Sequence, residues 1–200
     1  MKIKLKFVCA SRNGGKIKEF RRLFENLDIE LLSLDEINFP GEIDETGRNF
    51  QENAFIKAKA AADFSGLPAF ADDSGLEVDA LGGAPGAYSA RFGGHGLDDA
   101  GRRAFLLSQM EDIPEGARTA RFTCALCLYF PGGKTLEVSQ SCEGEILREE
   151  RGSGGFGYDA LFLCGDKTFS ELDAAEKDKI SHRGKAVREF AEKFKLFSSF

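Results

Sequence analysis

Five short stretches of this chain combine residue types that could do chemistry. In Ser11-Arg12-Asn13-Gly14-Gly15-Lys16 the glycines let backbone N–H groups close on an anion, and Lys16 adds a formal charge. The register approaches a Walker A loop, but Ile17 stands where that motif needs a Ser or Thr for magnesium. A phosphate cradle whose metal is held elsewhere fits this turn, and an ordinary glycine turn with a solvated lysine fits it equally. Ala71-Asp72-Asp73-Ser74-Gly75 reads as a short apolar strand ending in two carboxylates and a hydroxyl at a sheet edge. Side chains alternate along a strand, so one Asp is expected to face a given site. Magnesium takes hard oxygens from one or two carboxylates and shares its substrate's phosphates. A plain Asp-Ser turn has the same composition.

The acidic run Glu42 to Glu45 precedes Thr46-Gly47, with Lys57 and Lys59 further on, and a solvated loop is its simplest reading. Gly155-Phe156-Gly157-Tyr158-Asp159 holds an aromatic ring between glycines, which suits stacking on a planar base as well as it suits core packing. The segment from Glu176 to Gly184 carries Lys177, His182 and Arg183 just before a helix. Their tips could bind anions or read a heterocycle, and a merely charged loop would look alike. Other chemistries find no residues. His95 and His182 are far apart with no matching carboxylate spacing for zinc. Cys124 and Cys127 lie in a strand-like run without a second pair, and no Gly-x-Ser-x-Gly elbow occurs.

These residues need elements to hold them. Leu5 to Ala10 predicts a short strand, residues 11–15 a turn, and Ile17, Phe20, Leu23, Phe24 and Leu27 one face of a helix. Asn49 with Glu52 makes a capping box for a helix through Phe50, Ala54, Phe55, Ala58 and Ala61, stopped by Gly66 and Pro68. Ala69 to Ala71 reads as a short buried strand and Asp98 to Met110 as an amphipathic helix. Two strands, Thr119 to Phe130 and Lys134 to Cys142, are joined by the hairpin signal Pro131-Gly132-Gly133. A glycine-rich loop at 152–155 leads to a strand at Ala160 to Leu163, and Val187, Phe190, Ala191, Phe194 and Phe197 mark a final helix. The class is mixed α/β with an antiparallel portion.

Length and composition bound the rest. With 200 residues the chain is one domain, residues 1–200, or two small lobes sharing a sheet. A chain this long buries roughly 70% of its unfolded surface, so it needs no metal or disulfide to fold. Nineteen Phe against 3 Tyr and no Trp predict a core dominated by phenyl rings. The net charge of −6 gives no global footprint for a nucleic-acid polymer or an anionic membrane, so a phosphate-bearing ligand must be caught locally. No apolar run approaches the ~18 residues of a spanning helix. The alternating start Met1 to Lys6 lacks a signal peptide's apolar stretch, and five cysteines are an odd count. The expected compartment is the reducing cytoplasm.

In their order along the chain, these blocks resemble the HAM1/RdgB-type inosine triphosphate pyrophosphatases. The resemblance rests on Ser-Arg-Asn-Gly-Gly-Lys at 11–16, Glu-Thr-Gly-Arg-Asn-Phe-Gln-Glu-Asn-Ala at 45–54 and Leu-Pro-Ala-Phe-Ala-Asp-Asp-Ser-Gly-Leu at 67–76. Gly-Ala-Pro-Gly-Ala-Tyr-Ser-Ala-Arg-Phe at 83–92, Gly-Phe-Gly-Tyr-Asp at 155–159 and Ile-Ser-His-Arg-Gly at 180–184 complete it. It implies an α/β fold of two lobes on a long curved mixed β-sheet flanked by helices, a substrate cleft between the lobes, and a homodimer. The implied activity is Mg²⁺-dependent hydrolysis of the triphosphates of inosine, deoxyinosine and xanthosine to monophosphate and pyrophosphate. Carried over by position, Ser11, Arg12, Asn13, Gly14, Gly15 and Lys16 bind the triphosphate. Asp73 binds metal and acts as general base, Glu45 assists the metal, and Ser74 touches substrate. Phe156 stacks on the purine beside Gly157, Tyr158 and Asp159, while Lys177, His182 and Arg183 complete the contacts. Three positions depart from the family's pattern: Asn49 for Thr or Ser, Ala160 for Pro, and Arg12 for a small residue. A nucleotide sensor without turnover, a P-loop phosphotransferase and a purely structural protein are the rival classes.

Overall fold

A computed structural model describes residues 4–25, 27 and 29–197, the side chain of Phe197 excepted. The strand-like alternation at Met1–Ile3 and the phenyl ring of Phe197 lie outside the described residues. Seven strands form one mixed sheet in the order β2-β1-β3-β4-β5-β6-β7, and the chain divides into two compact units.

The first unit comprises residues 1–73, 124–139 and 186–200. Strand β1 (Leu5–Cys9) pairs in parallel with β2 (Ile29–Ser33), Leu5 opposite Ile29, and with β3 (Ala69–Val78), Val8 opposite Ala69. Helix α1 (Gly14–Leu23) begins where the Asn13 side chain accepts the Lys16 N–H at 3.0 Å. Helix α2 (Phe50–Ser65) begins likewise, Asn49 accepting the Glu52 N–H at 2.8 Å. The returning half of the expected capping box shifts by one residue: Glu52 accepts the N–H of Arg48. Gly66, at φ 69°, ends α2 in the left-handed region. The core is phenyl-rich, as composition predicts. Phe7, Phe20, Phe24, Phe70 and Phe190 are buried together, with Phe20 edge-on to Phe70 at 4.9 Å.

The second unit comprises residues 74–123 and 140–185. It holds α3 (Asp99–Gln109), capped by Asp98, with parts of β4 (Thr119–Tyr129) and β5 (Thr135–Ile146). Beyond them lie β6 (Phe162–Cys164), β7 (Lys167–Thr168), α4 (Ala174–Ile180) and the start of α5 (His182–Phe197). Its core gathers Leu76, Val78, Leu106, Met110, Phe122, Leu161, Phe162 and Phe169. Arg118 is buried, and among the described residues no carboxylate pairs with it. Its guanidinium donates to the carbonyls of Met110 at 2.8 Å and Ile146 at 2.7 Å, and to those of Ile113 and Leu147 at 3.3 Å. Those bonds satisfy donors that would otherwise carry a large desolvation cost.

Three elements differ from the sequence reading. The strand expected at Ala69–Ala71 runs on to Val78 and lies third in the sheet, so Asp72 and Asp73 sit inside a central strand instead of at its edge. Lysines pair with both carboxylates, Lys16 with Asp72 and Lys57 with Asp73, which offsets the cost of charge in a buried strand. The strand expected at Ala160–Leu163 starts at Phe162, because the N–H groups of Leu161 and Phe162 both turn back to the Tyr158 carbonyl. The segment from Glu176 to Gly184, placed just before the last helix, contains most of helix α4, opened by a reciprocal capping box between Asp173 and Glu176, and the last helix begins inside it at His182.

Candidate functional site

In the first unit Lys16, Glu45 and Asp73, predicted to hold phosphate and metal, join Asp72 and Lys57 in a largely buried set of ion pairs. Lys57 Nζ donates to Glu45 Oε1 at 2.7 Å and to Asp73 Oδ1 at 3.0 Å. Asn53, one turn before Lys57 on α2, donates from Nδ2 to Asp73 Oδ2 at 3.1 Å. Its Oδ1 accepts the Gly47 N–H at 2.8 Å, which fixes which way the amide points. Gly47 is required there, since a Cβ would stand 2.6 Å from Asn53 Oδ1. Lys16 Nζ lies 2.8 Å from Asp72 Oδ1, so the neighbouring carboxylates of β3 take different lysines, as strand alternation demands.

Three carboxylates face two ammonium groups here. Burial pushes Asp73 above the ordinary carboxylate range, with Lys57 and Lys16 opposing the shift. Burial works against the charge of Lys57 as well, but Asp73, Asp72 and Glu45 outweigh it and hold this ammonium above its usual value. The result is a protonated lysine beside a carboxylate whose basicity exceeds that of a solvated Asp.

The glycine turn is built as expected up to a point. Ser11 Oγ accepts the Asn13 N–H at 3.2 Å, and Asn13 caps α1, so both side chains shape the helix N-terminus. Gly14 and Gly15 open that helix, where N–H groups and the helix dipole favour an anion. Arg12 differs from expectation. Its guanidinium is tied to Asp35 and donates to the carbonyls of Phe39 at 2.8 Å and Gly41 at 2.9 Å. These bonds brace the loop that leads to Glu45 and leave the guanidinium turned to that loop.

In the second unit the residues predicted to meet the base are also together. Phe156 is half-buried, with Lys177 Nζ 5.0 Å and the Arg183 guanidinium carbon 5.9 Å from its ring centre. Asp159 shapes its loop, one carboxylate oxygen accepting the Phe156 N–H at 2.9 Å and Lys177 Nζ at 2.7 Å. The Gly157 N–H reaches Asp99 at 2.7 Å, and Arg103 donates to the Gly157 carbonyl at 2.9 Å. Tyr158 is buried and donates to the Ser89 carbonyl at 2.8 Å, a scaffold contact. His182 and Arg183 occupy the first turn of α5. The His182 ring stacks on Phe122 at 4.9 Å, and Arg183 donates to Ser74 Oγ at 2.8 Å. Gly184 permits this close junction, since a Cβ would fall 1.8 Å from the Asp178 carbonyl oxygen.

Sequence reasoning passed over Asn53, Asp99 and Arg103 as working parts and noted Lys57 only as one of two lysines. One signal was present: Asn53 and Lys57, four residues apart, interrupt the alanine-rich face of α2. Polar residues on a buried helical stripe need partners, and those partners are Gly47, Asp73 and Glu45.

The donor chemistry fits a hard divalent cation. Glu45 and Asp73 offer carboxylate oxygens, and the cluster's three negative charges exceed its two positive ones. Among the described residues no three His, Cys, Asp or Glu side chains form a ready cage. Magnesium does not need one, because it is held by one or two carboxylates, waters and substrate phosphates.

The profile of the Ham1 family matches residues 7–193. A protein of Desulforamulus reducens named dITP/XTP pyrophosphatase is 50% identical over 192 residues, covering 94% of both chains. One of the same name from Exiguobacterium sibiricum is 48% identical over 186 residues, covering 92% of this chain and 94% of its own. The solved structure of a HAM1 protein from Coxiella burnetii superposes with a TM-score of 0.87 at 41% identity, covering 96% of this chain and 99% of that one. With a family profile spanning nearly the whole chain and a solved relative of the same fold, the chain belongs to the Ham1 family.

Proposed function

We propose that this chain is a nucleoside triphosphate pyrophosphohydrolase that converts the triphosphates of inosine, deoxyinosine and xanthosine to monophosphate and pyrophosphate. The observation that carries the reading is the ion-paired set of buried Asp72, Asp73 and Lys57 with half-buried Glu45 and Lys16 in a Ham1-family chain. The polyphosphate tail goes to Ser11, Asn13, the N–H groups of Gly14 and Gly15, and Lys16. Glu45 and Asp73 hold Mg²⁺, which when bound neutralises the tail's charge and so lowers the barrier to nucleophilic attack. Asp73 takes the proton of the attacking water, a role suited to a carboxylate whose basicity burial raises. Lys57 orients that carboxylate and adds positive charge beside it.

Phe156 stacks on the purine, with Gly157, Tyr158 and Asp159 shaping its loop and Lys177 beneath the ring. Ser74 and His182 complete the contacts. Donors from His182 and Arg183 match the carbonyl at the purine 6-position of inosine and xanthine, whereas adenine presents an amino donor there. A site built around such a hydrogen bond discriminates by about 10⁴-fold. The protein acts as a homodimer in the cytoplasm, a compartment that suits five cysteines held as thiols. Among the described residues no helix is long and apolar enough to cross a membrane.

The test is a panel of purine triphosphates incubated with magnesium or with chelator, with products resolved by chromatography. The reading expects monophosphate and pyrophosphate from inosine triphosphate, little turnover of ATP, and none in chelator. Orthophosphate as the sole inorganic product, or phosphate transfer to an acceptor, overturns it.

A further inference from the structure

The proposed reaction leaves the thiols unused, yet two of them touch. Cys142 Sγ on β5 lies 3.5 Å from Cys164 Sγ on β6. The two strands pair antiparallel with Ile146 opposite Phe162, so pleating puts Cys142, Ile146, Phe162 and Cys164 on one face. Both sulfurs pack on the same apolar cluster of the second unit. A disulfide needs its sulfurs about 2.05 Å apart, so an approach of ~1.5 Å separates this contact from a bond. Exposure separates the two roles. Cys142 is buried, and burial pushes its thiol up to about 12, which makes it slow to react alone. Cys164 is half-buried and within reach of a small oxidant.

We propose that Cys142 and Cys164 are a reversible oxidation site, converted to a disulfide by hydrogen peroxide. The Cys164 sulfur takes one peroxide oxygen to become a sulfenic acid, and the other oxygen leaves as water. The Cys142 sulfur then attacks the sulfenic sulfur. A sulfur–sulfur bond forms, the sulfenic hydroxyl leaves with the Cys142 proton as a second water, and each cysteine has lost one electron. The new bond closes the segment that carries Phe156 and Asp159, and this cross-link restricts the unfolded chain.

The test uses the whole chain in its native state, treated with hydrogen peroxide, quenched with an alkylating reagent, and digested without reduction. The expected product is a Cys142–Cys164 peptide pair lighter by two hydrogens than its separate thiol peptides and split by dithiothreitol. A rise in Tm of about 5–10 °C, reversed by the same reductant, should accompany it. Cys142→Ser should abolish both and leave Cys164 to over-oxidise. Should Cys164 be oxidised without the joined peptide, pair only with a second chain, or stay reduced while peroxide oxidises methionine, the proposal is overturned. The peptide map of the unaltered protein decides the matter even if the serine variant does not fold.

Discussion

Replacing Lys57 by Met removes the cation between Glu45 and Asp73 while keeping an apolar stem of similar length. At an effective dielectric constant of about 20, contacts of 2.7 and 3.0 Å each contribute about 5–6 kcal/mol before desolvation. Desolvation of the ions offsets much of that, and breaking a fully buried pair costs about 3–5 kcal/mol. The Glu45 side chain is 29% exposed and can regain water, which places the expected loss near the lower end, about 3 kcal/mol. For a chain of this size that lowers Tm by roughly 6–12 °C. Thermal unfolding should be followed in chelator and again in excess magnesium. Because the orphaned carboxylates are the proposed metal ligands, magnesium at about 100 times its Kd should restore up to about 2.7 kcal/mol. A variant whose Tm in chelator matches the parent would refute the ion-pair argument. One destabilised as expected, but no more responsive to magnesium than the parent, would remove the metal from Glu45 and Asp73.

Asp73→Asn should fold and lose on the order of 10²-fold or more in kcat, measured by pyrophosphate release; near-normal turnover removes Asp73 as the base. Arg183→Ala should lower kcat/KM for inosine triphosphate and narrow the gap to ATP, and an unchanged ratio counts against base reading. Gly184→Ala drives a methyl group into the Asp178 carbonyl and should cost about 1–3 kcal/mol in denaturant unfolding, with KM rising as His182 and Arg183 shift. Glu171 is held at about 2 by side-chain bonds from Arg151, the Thr168 N–H and the Arg151 charge, which outweigh desolvation. A carboxylate lowered on folding stabilises the protein above its unfolded value of 4.5, and that stability is lost as pH falls toward about 2. Glu171→Gln should therefore flatten stability against pH in that window, and an unchanged acid-unfolding curve contradicts the assignment.

Much of this architecture was legible before folding. Asn49 announced its helix start because capping is local, needing only a side-chain oxygen and an N–H three residues on. The glycine turn, the phenyl core and the hairpin at Pro131–Gly133 followed from the same short-range rules. Local rules failed at β3, where Asp-Asp-Ser-Gly looks like a turn and is the middle of a central strand. Nor do they reach the partners of Arg12, which lie more than twenty residues on at Asp35, Phe39 and Gly41.

What the order of residues determines by itself is the identity of the chemical groups and the small turns and caps that start each element, since those interactions span only a few residues. Which lysine meets which carboxylate, that Asn53 faces Asp73, and that Cys142 touches Cys164 were decided only by the tertiary structure. These contacts join residues distant in the chain. Their strength comes from burial, which raises the cost of an unpaired charge, and burial exists only once the sheet and helices have packed.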